Sequence, residues 1–194
     1  MENQTNLKNL PPEIVLMFQL LSQSEKPVCL QKNYDWDYFS TVTHQLRVAP
    51  LVYKRICDLN LEQLIPERIF SIIKQQYYKT LQKNTILYHA FTQIHTLCAE
   101  KNISIVPLKG IFLADYVYGD IGIRPLSDID ILVNKKNIST CVGLLTDIGF
   151  SFDTRFQKSE FIEEQKESKH IPLLAKQGVG VNQKYGTNSA VIGI

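Results

Sequence analysis

Asp128 and Asp130 stand one residue apart in RPLSDIDILV, at the mouth of an apolar run. Residues two apart in an extended strand project from the same face. The two carboxylates therefore point together, while Ile129, Ile131 and Val133 turn the other way into a core. Like charges held side by side repel unless a cation or protons offset them. Magnesium suits the pair, because it prefers carboxylate oxygens and keeps positions open for water and substrate phosphates. Taken alone, such a pair is more often a solvated strand end than a metal site.

A second segment shifts that balance. PLKGIFLADY sets Lys109 and Gly110 between a strand and the first turn of a helix. Free backbone N–H groups at such a turn, with the helix dipole behind them, favour an anion. Gly110 would let a phosphate approach the backbone, and Lys109 would add a point charge. A glycine chosen for a tight turn beside an exposed lysine explains KG equally well. Together, however, the two segments put an anion cradle and a carboxylate pair on neighbouring strands.

The elements that must carry these residues follow from periodicity. PPEIVLMFQLLSQ opens with prolines that a first helical turn tolerates. In DWDYFSTVTHQL, Asp35 is an N-cap and Trp36, Phe39, Thr43 and Leu46 fall at helical spacing. Pro50 opens another helix through Leu51, Val52 and Ile56. From Pro66 a long helical pattern runs to about Glu100, its second half marked by Ile86, Leu87, Ala90, Phe91, Ile94, Leu97 and Cys98. The character changes at Lys101. A strand is expected over Ile103–Leu108, a helix ending at Gly119, the strand DIDILV, a helix from about Asn137 to Ile148 closed by Gly149, and a strand in GFSFD. That order indicates helices packed on a sheet. KSEFIEEQKESK reads as a charged helix or loop. HIPLLAK and GVGV read as two strands paired across a turn near Gln177 and Gly178.

Composition excludes several classes. The chain of 194 residues has 44% hydrophobic and 21% charged residues, enough for a real core. Its formal net charge of +2 argues against a protein that coats nucleic acid. Cys29, Cys57, Cys98 and Cys141 form no CxxC pair, so reduced thiols in a cytoplasmic protein are expected. The polar start lacks a signal-peptide pattern, and no apolar run approaches the roughly 18 residues a membrane span needs. His44, His89, His95 and His170 make no HxxxH pair, which sets zinc aside. Tyr77, Tyr78 and Tyr88 read as packing residues at helical spacing.

LKG, a helix, a Tyr-Gly-Asp turn, an Arg and then SDIDILV together resemble the uncharacterised nucleotidyltransferases of the polymerase β-like superfamily. The resemblance extends upstream to DWDYF and HQLRVAPLVYKRI and downstream to LLTDIGF, covering roughly residues 30 to 175. It implies an α+β fold: a helical N-terminal subdomain (1–100), a small mixed-sheet nucleotidyltransferase α/β core (101–181) and an atypical tail (182–194). It also implies two-metal chemistry, with Asp128 and Asp130 as catalytic magnesium ligands and Lys109, Gly110, Arg124 and Ser127 at the nucleotide. Lys109 and Gly110 match by position only, since many relatives carry Gly-Ser there. The implied reaction moves a nucleoside monophosphate from a nucleoside triphosphate to a hydroxyl on a small molecule or protein, ATP-binding included. Nucleic acid is disfavoured as acceptor by the near-neutral charge.

The superfamily usually adds a third carboxylate on a later strand. Here Val181 is followed by Asn182, Gln183 and Lys184, and Glu167 is the last acidic residue. The expectation is a C-terminally truncated or divergent member; one alternative is a complementing carboxylate from Glu160, Glu163, Glu164 or Glu167. The other is a catalytically impaired nucleotide-binding or partner-binding module. An edge strand left open after Val181 would expose unpaired backbone groups, which a homodimer would cover.

Overall fold

The computed structural model of the chain describes residues 10–22, 33–152, 174–182 and 187–193. Four helices lead: α1 (Pro12–Leu21), α2 (Trp36–Gln45), α3 (Ala49–Asp58) and the 34-residue α4 (Glu67–Glu100). Then follow β1 (Ile105–Leu108), α5 (Lys109–Phe112) continuing as a wider π turn over Leu113–Val117, β2 (Ile129–Val133) and α6 (Ile138–Asp147). Among the described residues three strands follow: β3 (Ser151–Phe152), β4 (Leu174–Asn182) and β5 (Thr187–Gly193). The fold is α+β, as expected.

The chain divides into two compact units, one of residues 1–81 with 122–124 and one of 82–121 with 125–194. The division falls inside α4, whereas the sequence pattern placed it at the end of that helix. Each half of α4 supplies apolar residues to its own core. In the helical unit Leu16, Leu20, Phe39, Val52, Ile56, Ile69 and Ile73 are buried together. The start of α2 and the end of α1 are satisfied by side chains. The Asp35 carboxylate accepts from the Tyr38 N–H at 2.9 Å, and the Asp35 N–H donates to Oε1 of the buried Glu13 at 2.7 Å. Arg55 Nε donates to the Leu20 carbonyl at the end of α1, 3.0 Å away. Leu46, placed by its spacing on the buried face of α2, is instead 56% exposed. It is the C-cap residue, where the helical stripe has already ended.

The sheet unit has strand order β1-β2-β5-β4-β3, with β2 and β5 parallel and the other neighbours antiparallel. β1 lies at an edge, where Pro107 can do without a donor. Its pairing sets Leu108 opposite Asp130 and Val106 opposite Leu132. Alternation along β2 buries Ile129, Ile131 and Val133, which join Leu87, Ile94, Ile111, Leu126 and Leu145 in the second core. The opposite face carries Asp130 and Leu132. The strand expected over residues 103–108 begins at Ile105, and the one expected in GFSFD is seen at Ser151–Phe152 among the described residues.

The C-terminal strands correct one expectation. Leu174–Lys176 and Gly178–Val181 do not form a hairpin; both lie in β4, and Gln177 pairs with Ser189 of β5. The shift in register between Gln177 and Asn182 marks an irregularity that absorbs Gly178 and Gly180 within one strand. The segment KSEFIEEQKESK and His170 lie outside the described residues.

Candidate functional site

The sheet unit brings the residues of interest together through local geometry. β1 ends at Leu108 in extended backbone, and Lys109, the first residue of α5, takes a left-handed conformation at φ 47°. A non-glycine residue there is strained by its own Cβ. The turn is sharp enough to place Lys109 immediately beyond the cross-strand partner of Asp130. Its Nζ lies 3.2 Å from Asp130 Oδ1, with the lysine side chain 68% exposed and the aspartate 15%. Asp128 immediately precedes β2 and accepts a hydrogen bond from Ser127 Oγ at 3.1 Å.

Gly110 has a packing reason of its own. A Cβ added there would come within 2.6 Å of Leu126 Cδ2, and Leu126 is buried. The close approach of this turn to the segment leading into Asp128 therefore calls for glycine.

Two further residues, which the sequence pattern did not single out as site residues, brace the same segments from α4. Asn84 is fully buried; its side-chain amide donates to the Ile121 carbonyl and its Oδ1 accepts from the Leu126 N–H at 3.2 Å. It thus grips both ends of the loop that delivers the aspartates. One turn later, Tyr88 donates its hydroxyl to the Ile111 carbonyl. Burial, helped by the nearby Asp115 charge, pushes its phenol up to about 12. A signal for Asn84 did exist. It sits three residues before Leu87 on the apolar stripe of α4, a core position given to an amide.

Arg124 is half-buried and its backbone belongs with the helical unit, apart from the aspartates' own unit. His44, His89 and His95 are exposed. Tyr77 and Tyr78 pack with Tyr53 at centroid distances of 5.0 and 6.4 Å, as their spacing suggested. Cys98 and Cys141 approach to 3.9 Å as free thiols, both buried, and burial raises both. Among the described residues no group of three or more His, Cys, Asp or Glu gathers at metal-binding distance. Glu160, Glu163, Glu164 and Glu167 lie outside them. Nor is any helix among them long and apolar enough to cross a membrane.

The arrangement offers a carboxylate on β2 with a lysine reaching it, a second carboxylate just ahead of that strand, and a strand-to-helix turn at Lys109. A family model described as an uncharacterised nucleotidyltransferase matches residues 32–182. No curated protein and no solved structure matches the chain.

Proposed function

The chain belongs to the uncharacterised nucleotidyltransferase family, and from that premise we propose that it is a magnesium-dependent enzyme that transfers a nucleoside monophosphate from a nucleoside triphosphate to a hydroxyl. The acceptor in this reading is a small molecule or a protein side chain. The observation that supports it is the Lys109 ammonium 3.2 Å from Asp130, on the face of β2 turned away from the core, with Asp128 two residues upstream.

The residues fit a divalent cation on two grounds. Carboxylate oxygens are the donors magnesium prefers, and a cationic ammonium already stands 3.2 Å from Asp130. Asp128 and Asp130 would hold the metal, whose contribution is to stabilise the attacking and leaving oxygens of an in-line displacement at the α-phosphorus. The chain's own groups do the rest. The turn at Lys109 and Gly110 receives the phosphates, the lysine lending charge as pyrophosphate leaves. Ser127 orients the Asp128 carboxylate. Asn84 and Tyr88 keep the two segments in register, so that donors and phosphates meet without reorganisation.

A second reading rests on the sequence from Ser168 to Ile194, which contains no acidic residue. It is a nucleotide-binding or partner-binding module with little turnover. Calorimetric titration of ATP and GTP, with and without magnesium, tests what both readings share. Binding should require magnesium and vanish in Asp128→Ala/Asp130→Ala; magnesium-independent binding that survives the double substitution would sink both. Pyrophosphate release on incubation with a panel of hydroxyl acceptors then separates enzyme from module.

A further inference from the structure

We infer that the Lys109 ammonium is the resident counter-ion of Asp130, which a divalent cation has to displace. Lysine and metal then compete for one carboxylate, and the displaced lysine is handed to the phosphates. The inference rests on the metal-binding reading above and adds an order of events to it.

Three observations point this way. The ammonium sits 3.2 Å from Asp130 Oδ1, a charge-paired contact. The partners differ sharply in exposure: the carboxylate is the sequestered one and the lysine remains mostly in water. A carboxylate so placed gains from a cation, whereas the lysine can leave without being desolvated, so the exchange is easy from the lysine's side. Finally, the left-handed backbone at Lys109 and the pairing of Leu108 with Asp130 start the lysine stem beside that carboxylate. The contact is thus set by the fold, not by the chance reach of a long surface side chain.

The consequence is a pair of effects of opposite sign. Removing the lysine charge should tighten binding of the bare metal, because its competitor is gone. The same change should weaken binding of the triphosphate, because the charge handed over is gone. A substitution that merely loosened the fold would weaken both.

The test is titration of manganese alone, followed by the electron paramagnetic resonance of the free ion, on wild type, Lys109→Met, Lys109→Gln, Lys109→Arg and Lys101→Met. The two neutral substitutions at Lys109 are expected to bind manganese about threefold tighter than wild type, the size of effect an exposed ion pair supports. Arginine, which keeps the charge, should leave affinity near wild type. Lys101→Met removes an equal charge from the exposed turn before β1 and should change little. ATP affinity at saturating magnesium should fall for both neutral variants. Manganese affinity unchanged or weaker in Lys109→Met and Lys109→Gln overturns the inference, as does an equal gain in Lys101→Met, which would reduce the effect to general charge. Absence of manganese binding in every protein, wild type included, removes the metal site itself and with it this inference.

Discussion

The helical unit and the sheet unit are built on cores of the same kind, aliphatic residues from helices and strands with one or two polar groups sealed inside. They differ in what their polar side chains do. In the helical unit, Glu13 and Asp35 are spent on the start of α2, Arg55 on the end of α1. Each satisfies backbone groups that the helix itself leaves open. In the sheet unit, buried Asn84 grips a loop with no regular structure of its own, and that loop ends at Asp128. The aspartates beyond it cap nothing. Side chains that stabilise backbone are thus kept apart from side chains left available to a ligand, and Asn84 is the link between the two classes.

Substitutions can break or sharpen that contrast. The largest effect is expected from Asp128→Ala/Asp130→Ala: transfer activity, read as pyrophosphate release, falls on the order of a thousandfold, since metal stabilisation is worth several kcal/mol. Thermal unfolding should hold steady or rise, because two neighbouring like charges are gone. A large fall in stability would place these residues in the class of Asp35. Asn84→Leu comes next. It leaves the Leu126 N–H and the Ile121 carbonyl without this partner, at about 1–3 kcal/mol for each buried group. Denaturant unfolding should register that loss, and magnesium-dependent ATP binding should weaken as well. If only stability changes, the loop does not depend on its clasp.

Gly110→Ala should cost about 1–3 kcal/mol by overpacking against Leu126. The same change should cost less when made in a Leu126→Ala background, where the opposing methyl is gone. Asp35→Ala should cost about 1 kcal/mol of stability with nucleotide binding unchanged. An effect of this cap on binding would erase the distinction between the units.

Alkali is where the two units should behave alike. Burial pushes Tyr88 and Cys141 up to about 12 from ordinary values of 10.0 and 9.0, and raises Tyr53 of the helical unit further still. These groups stay protonated longer folded than unfolded. The stability they contribute is complete below about pH 9 and is lost as pH rises through about 12. Tyrosinate absorbance followed alongside unfolding should show ionisation delayed until structure is lost; free ionisation near the ordinary value would contradict the burial.

Much of this could be read from residue order. The Asp35 cap, the helix opening at Pro50 and the alternation in DIDILV each depend on neighbours within a turn or two, and all appear in the structure. The neighbouring of β1 and β2, which brings Lys109 to Asp130, was legible too, as two strands expected side by side. What escaped depends on partners far along the chain. Asn84 acts on residues 37 and 42 positions away, so its role is invisible in its own helix. Gln177 and Gly178 read locally as a turn, yet both lie inside β4, where Gln177 pairs with Ser189 of β5. The division within α4 has no local mark either, for a helix crosses it unbroken.

The left-handed backbone at Lys109 makes this position one where selection for robustness and selection for use pull in opposite directions. Glycine there would relieve about 1 kcal/mol of strain while deleting the cation, so Lys109→Gly should melt higher and bind nucleotide worse. A library ranked on melting temperature alone would enrich that change and discard the site unnoticed. Stabilised variants of this protein are therefore better chosen with position 109 held constant.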